Sequence, residues 1–369
     1  MHIKKKLFLL LLMCTTVYAV AVDNPMHVDP KTYINRIQLP PGFQIEVYVD
    51  NINGARSMTR GANGTIFVGT RDTGNVYAIV DRKVLTIAHG LKSPNGVAFH
   101  DGDLYVAEIS RILRFPKIEE NLNNPPKPTV VTDHYPKSPW HGWKFIAFGP
   151  DNKLYVPVGM PCNTCERKES IFGTITRITP DGSQLEIFAK GIRNTVGFDW
   201  HPETKELWFT ENGRDELGDD IPPEELNYAP KAGLNFGFPY FYGKSGVDTT
   251  YKSKIDLKDT QPPAIEMPAH TAPLGMRFYT GSMFPKDYHN QIFIAQHGSW
   301  NRSKPAGYQV SMVKLDGNRA VSYEPFATGW LSDDKYWGRP VDVLVMPDGS
   351  LLVSDDFANC IYRISYKGN

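Results

Sequence analysis

Five short stretches of this sequence carry side chains that could do chemistry. His141 stands in PWHGWKFIAFGPDNKLYVPVG, between Trp140 and Trp143 and just before an apolar run. A lone histidine in that setting is often structural or merely exposed. At the mouth of a strand it can also act as a base, because an imidazole with an ordinary pKa of about 6.5 can accept an alcohol proton near neutral pH. Arg193 and Asn194, in GIRNTVGFDWHP, set a fixed cation beside an amide. AQHGSWNRS packs Gln296, His297, Trp300, Asn301 and Arg302 into one loop, and polar loops do not usually spend tryptophan. Arg339 in YWGRPVDV and Arg56 in GARSM repeat the placement of an arginine just ahead of a strand. An exposed arginine needs no explanation. Arginines at equivalent mouths, here Arg56, Arg193, Arg302 and Arg339, could instead ring an anionic ligand, since the guanidinium fork matches a carboxylate and stabilises developing negative charge.

The stretch from Gly191 to Tyr228 is the centre of the pattern. After Arg193 and Asn194 it runs through two apolar, aromatic segments and ends among Glu211, Asp215, Glu216, Asp219, Asp220, Glu224 and Glu225. Such an acidic loop can be simply solvated. It can also hold calcium, which takes several hard oxygens, backbone carbonyls included. Asn212 and Gly213 form a turn that could present them. The spacing is not that of an EF-hand.

These residues need a scaffold, and the sequence repeats one. A turn bearing Gly or Asp precedes a short apolar-aromatic strand in NGTIFVGT, DGDLYVAE, DNKLYVPVG, TKELWFTENG, HNQIFIAQHG and DGSLLVSDD. Each has another strand pattern before it, and several have a third after it. Six such units without a long amphipathic helix predict an all-β, six-bladed β-propeller. A β-sandwich would not need the same unit six times. The run Gln44–Val49 is expected to close the ring on the last blade. A long insert around Tyr228–Ala272 is expected to separate the fourth and fifth units, on the face that builds the site.

Forty basic and 40 acidic residues give a formal net charge of zero over 369 residues, so no basic excess points to nucleic acid or an anionic membrane. Residues 1–21 read as an export signal: a basic start, a short apolar core from Leu7 to Cys14, and Ala19-Val20-Ala21 as the cleavage site. That apolar run is too short to span a bilayer. The expectation is a single domain over residues 22–369, in a periplasm or secreted, with no stable membrane anchor. In PCNTCE, Cys162 and Cys165 read first as a local disulfide. Zinc would need a second ligand pair, and a covalent haem would need His where Glu166 stands. Cys360 reads as a small buried hydrophobe.

Taken in order, HGWKFIAFGPDNKLYVPVGMPCNTC, GIRNTVGFDWHP, ELWFTENGRDELGDDIPPEELN, NFGFPYFYG and FIAQHGSWNRS resemble the soluble sugar dehydrogenases that use pyrroloquinoline quinone (PQQ), most closely the L-sorbosone dehydrogenase-like branch. The resemblance spans nearly all of the chain after the signal. It implies a six-bladed propeller with PQQ across the axial mouth. It implies that His141 is the base, that Arg193 and Asn194 flank the quinone carbonyls, and that Arg339 holds one of the cofactor's carboxylates, while Arg56, from its like placement, is expected to bind the cofactor as well. It further implies that the carbonyls of Gly213 and Arg214 bind the cofactor's calcium. Two positions depart from the glucose-dehydrogenase pattern. Met160 stands where that branch pairs its histidine with an Asp, and His297 where it has a PQQ-binding lysine. The orientation of His141 must then come from elsewhere, and glucose is not implied.

On this reading His141 removes a proton from a sugar hydroxyl or hydrated aldehyde, and Arg193 stabilises the anionic reduced cofactor. No haem motif lies on the chain, so the electron acceptor, a cytochrome or a quinone, is separate. Two alternatives remain open. One is a calcium-dependent lactonase or other hydrolase on the same fold, using carboxylates such as Asp215, Asp219 and Glu225. The other is a propeller that binds carbohydrate without catalysis.

Overall fold

The computed structural model describes residues 25–368. The export signal expected over residues 1–21 lies outside them. Six four-stranded antiparallel motifs follow one another around a ring. Blade 1 begins at Met58–Arg60, blade 2 at Gly96–His100, blade 3 at Ala147–Phe148, blade 4 at Phe198–Trp200, blade 5 at Pro273–Phe278 and blade 6 at Pro340–Val345. First strands of neighbouring blades approach one another and so line the axis.

The local chemistry explains the units. Asp101 and Gly102 both have positive φ (48° and 85°) between Gly96–His100 and Asp103–Ala107. That is the geometry a two-residue hairpin loop requires, and Asp-Gly supplies it at low cost. Second strands such as Leu154–Val158, Leu207–Glu211 and Leu351–Asp355 are buried along their whole length. Blades cover them on both faces, which is why they read as unbroken apolar runs rather than alternating ones. Aromatic residues fill the gap between blades 3 and 4, where Phe145, Tyr155, Phe188, Phe198 and Phe209 form one cluster.

The ring closes as the sequence predicts. Phe43–Val49 pairs antiparallel with Cys360–Tyr366 and becomes the outer strand of blade 6, with Phe43 opposite Tyr366 and Val47 opposite Tyr362. Cys360 is buried and free.

The insert lies elsewhere than expected. It does not separate blades 4 and 5. It runs inside blade 4, between Glu224–Ala229 and Ile265–Met267. On the way, Leu234–Asn235 pairs parallel with the outer strand of blade 3, Leu185–Lys190. The insert therefore ties blade 3 to blade 4.

Candidate active site

In an antiparallel blade, the loop entering the first strand and the loop leaving the second emerge at the same end of the ring. Residues from those loops meet there around a cavity of about 430 Å³. That is within the usual range for small-ligand sites. Arg56, His141, Arg193, Asn194 and Arg339 come from loops entering first strands, and Gly213 and His297 from loops leaving second strands. All seven line the cavity. Trp140 and Trp300 stand on its wall with 52% and 64% of their surface exposed.

His141 has φ of +49°, which turns it in toward the strand after it. Gly159 permits the approach, since a Cβ there would sit 2.6 Å from the His141 Cβ. Nδ1 lies 2.8 Å from the carbonyl oxygen of Met160. A carbonyl can only accept, so Nδ1 carries the proton and Nε2 presents a lone pair. The missing Asp is thus replaced in its orienting role by the backbone of the residue that took its place. Burial, and then the Arg193 cation, hold the imidazole pKa down to about 3, against the opposing pull of the Met160 carbonyl. His141 is uncharged at neutral pH.

The arginines differ in what surrounds them. Arg193 is buried. Its Nε donates to Asn163 O at 2.8 Å, Nη2 to Asn163 Oδ1 at 3.0 Å and to Asp215 Oδ2 at 3.1 Å, and Nη1 to Asn212 O at 3.2 Å. Arg56 is also buried, donating to Asn95 Oδ1 at 2.6 Å and to Asp356 at 2.5 Å. Asp356 in turn accepts from His297 Nε2 at 2.8 Å. Burial brings His297 down to about 4, with Arg339 lowering it further and Asp356 opposing. Among the described residues Arg339 forms no direct ion pair, although Asp356, which pairs with Arg56 and His297, also feels its charge. Its Nε and Nη2 donate to the carbonyls of His297 and Gly298 at 3.0 and 2.9 Å, and its guanidinium lies over the rings of Tyr308 and Tyr336. Arg302 does not join the ring of arginines. It donates to the carbonyls of Asp219 and Ala269, away from the cavity. Arg71, which the sequence did not single out, takes a place on the wall instead, stacked on Trp143 at 5.1 Å and paired with Asp72.

The acidic stretch is not one solvated loop. Glu211 ends a buried strand and accepts from the backbone N–H of Arg193 and Asn194. Glu224 begins the next strand and holds the turn between them, accepting from Gly213 N at 2.7 Å and Ala272 N at 3.2 Å. The side chain of Arg214 points into the insert, to Asp248 and Thr250 at 2.8 Å each. Gly213 lines the main cavity, while Arg214 lines a small crevice behind it. Within the described residues no donor reaches the carbonyl oxygen of either residue. Two free carbonyls in one turn suit a hard cation. Among the described residues no three His, Cys, Asp or Glu side chains converge as a metal cage. Asp215 pairs with Arg193, Asp219 with Ser303, and Glu225 with Gly243 N and Asn227. The carboxylates that a lactonase would bring to one metal are committed to separate partners.

Comparison with known proteins agrees with this arrangement. The glucose/sorbosone dehydrogenase family profile matches residues 111–362. The chain belongs to that family. A relative of full length, an uncharacterized protein of Borreliella burgdorferi, is 36% identical over 370 aligned residues, covering 96% of each chain. Among solved structures, the calcium structure of a Trichoderma reesei carbohydrate-active enzyme of family AA12 superposes with a TM-score of 0.79 at 17% identity, over 94% of this chain and 100% of that one. The holo form of the pyranose dehydrogenase PQQ domain from Coprinopsis cinerea gives 0.74 at 16% identity, over 89% and 97%. At such identity these likenesses establish the shared propeller. For this dehydrogenase the sequence brought out the groups facing the cavity. It missed Asn163, Asp356 and Arg71, which hold or supplement them.

Proposed function

We propose that the protein oxidises an aldose or sugar aldehyde with PQQ and calcium. The observation that carries this reading is the meeting, in one cavity, of a neutral His141 whose Nε2 has no partner among the described residues, an Arg339 in no direct ion pair there, and the Gly213 turn. A tricarboxylate cofactor would find its anchor at Arg339, where the guanidinium is held in place by carbonyls and tyrosines but not neutralised. The carbonyls of Gly213 and Arg214 would hold the calcium. When bound, PQQ would supply a quinone that accepts hydride, and calcium would polarise its carbonyl.

The chain's own residues then do the following. His141 Nε2 takes the proton from the sugar hydroxyl, with the ring fixed by Nδ1–H donating to Met160 O. Burial, and then the Arg193 cation, keep the imidazole uncharged before the step. Arg193 and the side-chain amide of Asn194, which makes no hydrogen bond among the described residues, face the region where negative charge develops. Trp140 and Trp300 shield the rim.

The same reading makes the protein an exported one, acting in a periplasm or outside the cell and passing electrons to a separate cytochrome or quinone. The Cys162–Cys165 disulfide supports an oxidising compartment. No helix among the described residues is long and apolar enough to cross a membrane.

The test is an absorbance titration with PQQ and calcium, followed by dye reduction with a panel of aldoses. Saturable PQQ binding and sugar-dependent dye reduction are expected. Absence of PQQ binding, or lactone hydrolysis without PQQ, would overturn the proposal.

A further inference from the structure

The disulfide loop CNTC lies against the cavity wall, and one residue inside it does two jobs. Asn163 presents its backbone oxygen to Arg193 Nε at 2.8 Å and its side-chain Oδ1 to Arg193 Nη2 at 3.0 Å. Two oxygens of a single residue thus match one edge of the guanidinium. The same Oδ1 accepts from Asp215 N at 2.8 Å, and Asn163 Nδ2 donates to Asp215 O at 3.2 Å. Asn163 is therefore bound to Arg193 and to the chain that leaves the Gly213–Arg214 turn.

The Cys162–Cys165 bond closes a tight bend around Asn163, with the Cα atoms 6.1 Å apart, and so limits how its two oxygens can turn. The far side of the loop is anchored independently. Tyr251 OH donates to Thr164 O at 3.2 Å, and Lys254 pairs with Glu166 at 2.9 Å. Opening the cross-link would leave the loop seated on the insert but release the bend.

We propose that the Cys162–Cys165 disulfide is a positioning clamp, acting through Asn163 to set both the Arg193 guanidinium and the Gly213 turn for the bound cofactor. Asn163 is a positioning residue, not a catalytic one, and the inference rests on the PQQ reading above. Partners that orient a metal's ligands are worth ~10–100-fold in affinity or activity, and the clamp is expected to act on that scale.

The test is a cycle of four PQQ titrations in excess calcium: the oxidised protein, the protein reduced with a dithiol, Asn163→Ala oxidised, and Asn163→Ala reduced. A dithiol converts the S–S bond to two thiols and is itself oxidised to a disulfide. Cys162→Ser with Cys165→Ser repeats the reduced state without reagent. Reduction and Asn163→Ala should each weaken PQQ binding by ~10–100-fold. Combined, they should do less than the product of the two, because Asn163→Ala already removes the side-chain half of the grip and leaves only the backbone oxygen for the bend to aim. Effects that multiply, or unchanged affinity on reduction, would overturn the clamp. Hydrogen exchange of the protein without cofactor gives a second readout. Reduction should speed exchange across residues 211–216, and unchanged exchange there overturns the clamp even if a variant fails to fold. Wild-type protein that binds no PQQ refutes the functional reading instead, and the exchange result still decides the clamp.

Discussion

The cavity has two arginine walls, and they are built on opposite terms. On the blade 4 wall, Arg193 is buried and its charge is met by Asp215 and by three oxygens of Asn163 and Asn212. On the blade 6 wall, Arg339 is half-buried, held by two carbonyls and two aromatic rings, and among the described residues in no direct ion pair, sharing the more distant Asp356 with Arg56 and His297. Both residues look alike in the sequence, each an arginine just ahead of a first strand. The difference lies in what neutralises them. A neutralised, buried arginine is structural as well as functional, because removing it strands its partner. An arginine restrained without being neutralised is poised to receive an anion from outside.

That contrast yields unequal outcomes for the same substitution. Arg193→Ala leaves Asp215 without its cation in a largely buried site, and breaking a buried pair from one side costs ~3–5 kcal/mol. Both stability in urea and PQQ affinity should fall. Arg339→Ala loses two hydrogen bonds to carbonyls and its contacts with two rings, but it strands no directly paired carboxylate. It should lose less stability than Arg193→Ala yet bind PQQ far more weakly. If Arg339→Ala proves the less stable of the two, or leaves PQQ affinity unchanged, the comparison between the walls is wrong.

A smaller effect comes from the histidines that flank the two arginines. His297 titrates near pH 4 in the folded protein and near 6.5 in the unfolded chain, and His141 near 3. Between pH 4 and 6.5 the unfolded chain therefore binds more protons at both positions than the folded one. Stability must then rise with pH across that window and be lost as pH falls through it, by up to ~1.4 kcal/mol per pH unit for each fully shifted histidine. His297→Gln keeps a donor for Asp356 but cannot titrate. Denaturation midpoints measured from pH 4 to 6.5 should show a shallower slope in this variant. An identical slope would mean that His297 titrates normally.

Much of this was legible in the sequence because it is local. Asp-Gly turns ahead of apolar runs mark the blades, and His141, Arg193, Gly213 and Arg339 sit in loops of unusual composition next to those runs. What the sequence hid is set by ring closure. Asp356 meets Arg56 across 300 positions of chain, and no local pattern announces such a pair. Nothing local marks Asn163, between two cysteines, as the partner of Arg193. The insert was misplaced because Ile265–Met267, the strand that completes blade 4 after it, is only three residues long and did not read as a strand. Glu211 and Glu224 read as part of one acidic loop, solvated or calcium-binding, although they are strand ends whose carboxylates anchor backbone N–H groups.

The account stands most directly on His141, and single-turnover reduction of bound PQQ by an aldose tests it. His141→Ala should keep its fold and its PQQ affinity, since neither depends on the imidazole. The rate of cofactor reduction should drop by ~10²–10⁴-fold, the contribution of a positioned general base. A His141→Ala protein that reduces PQQ at the wild-type rate would contradict the mechanism.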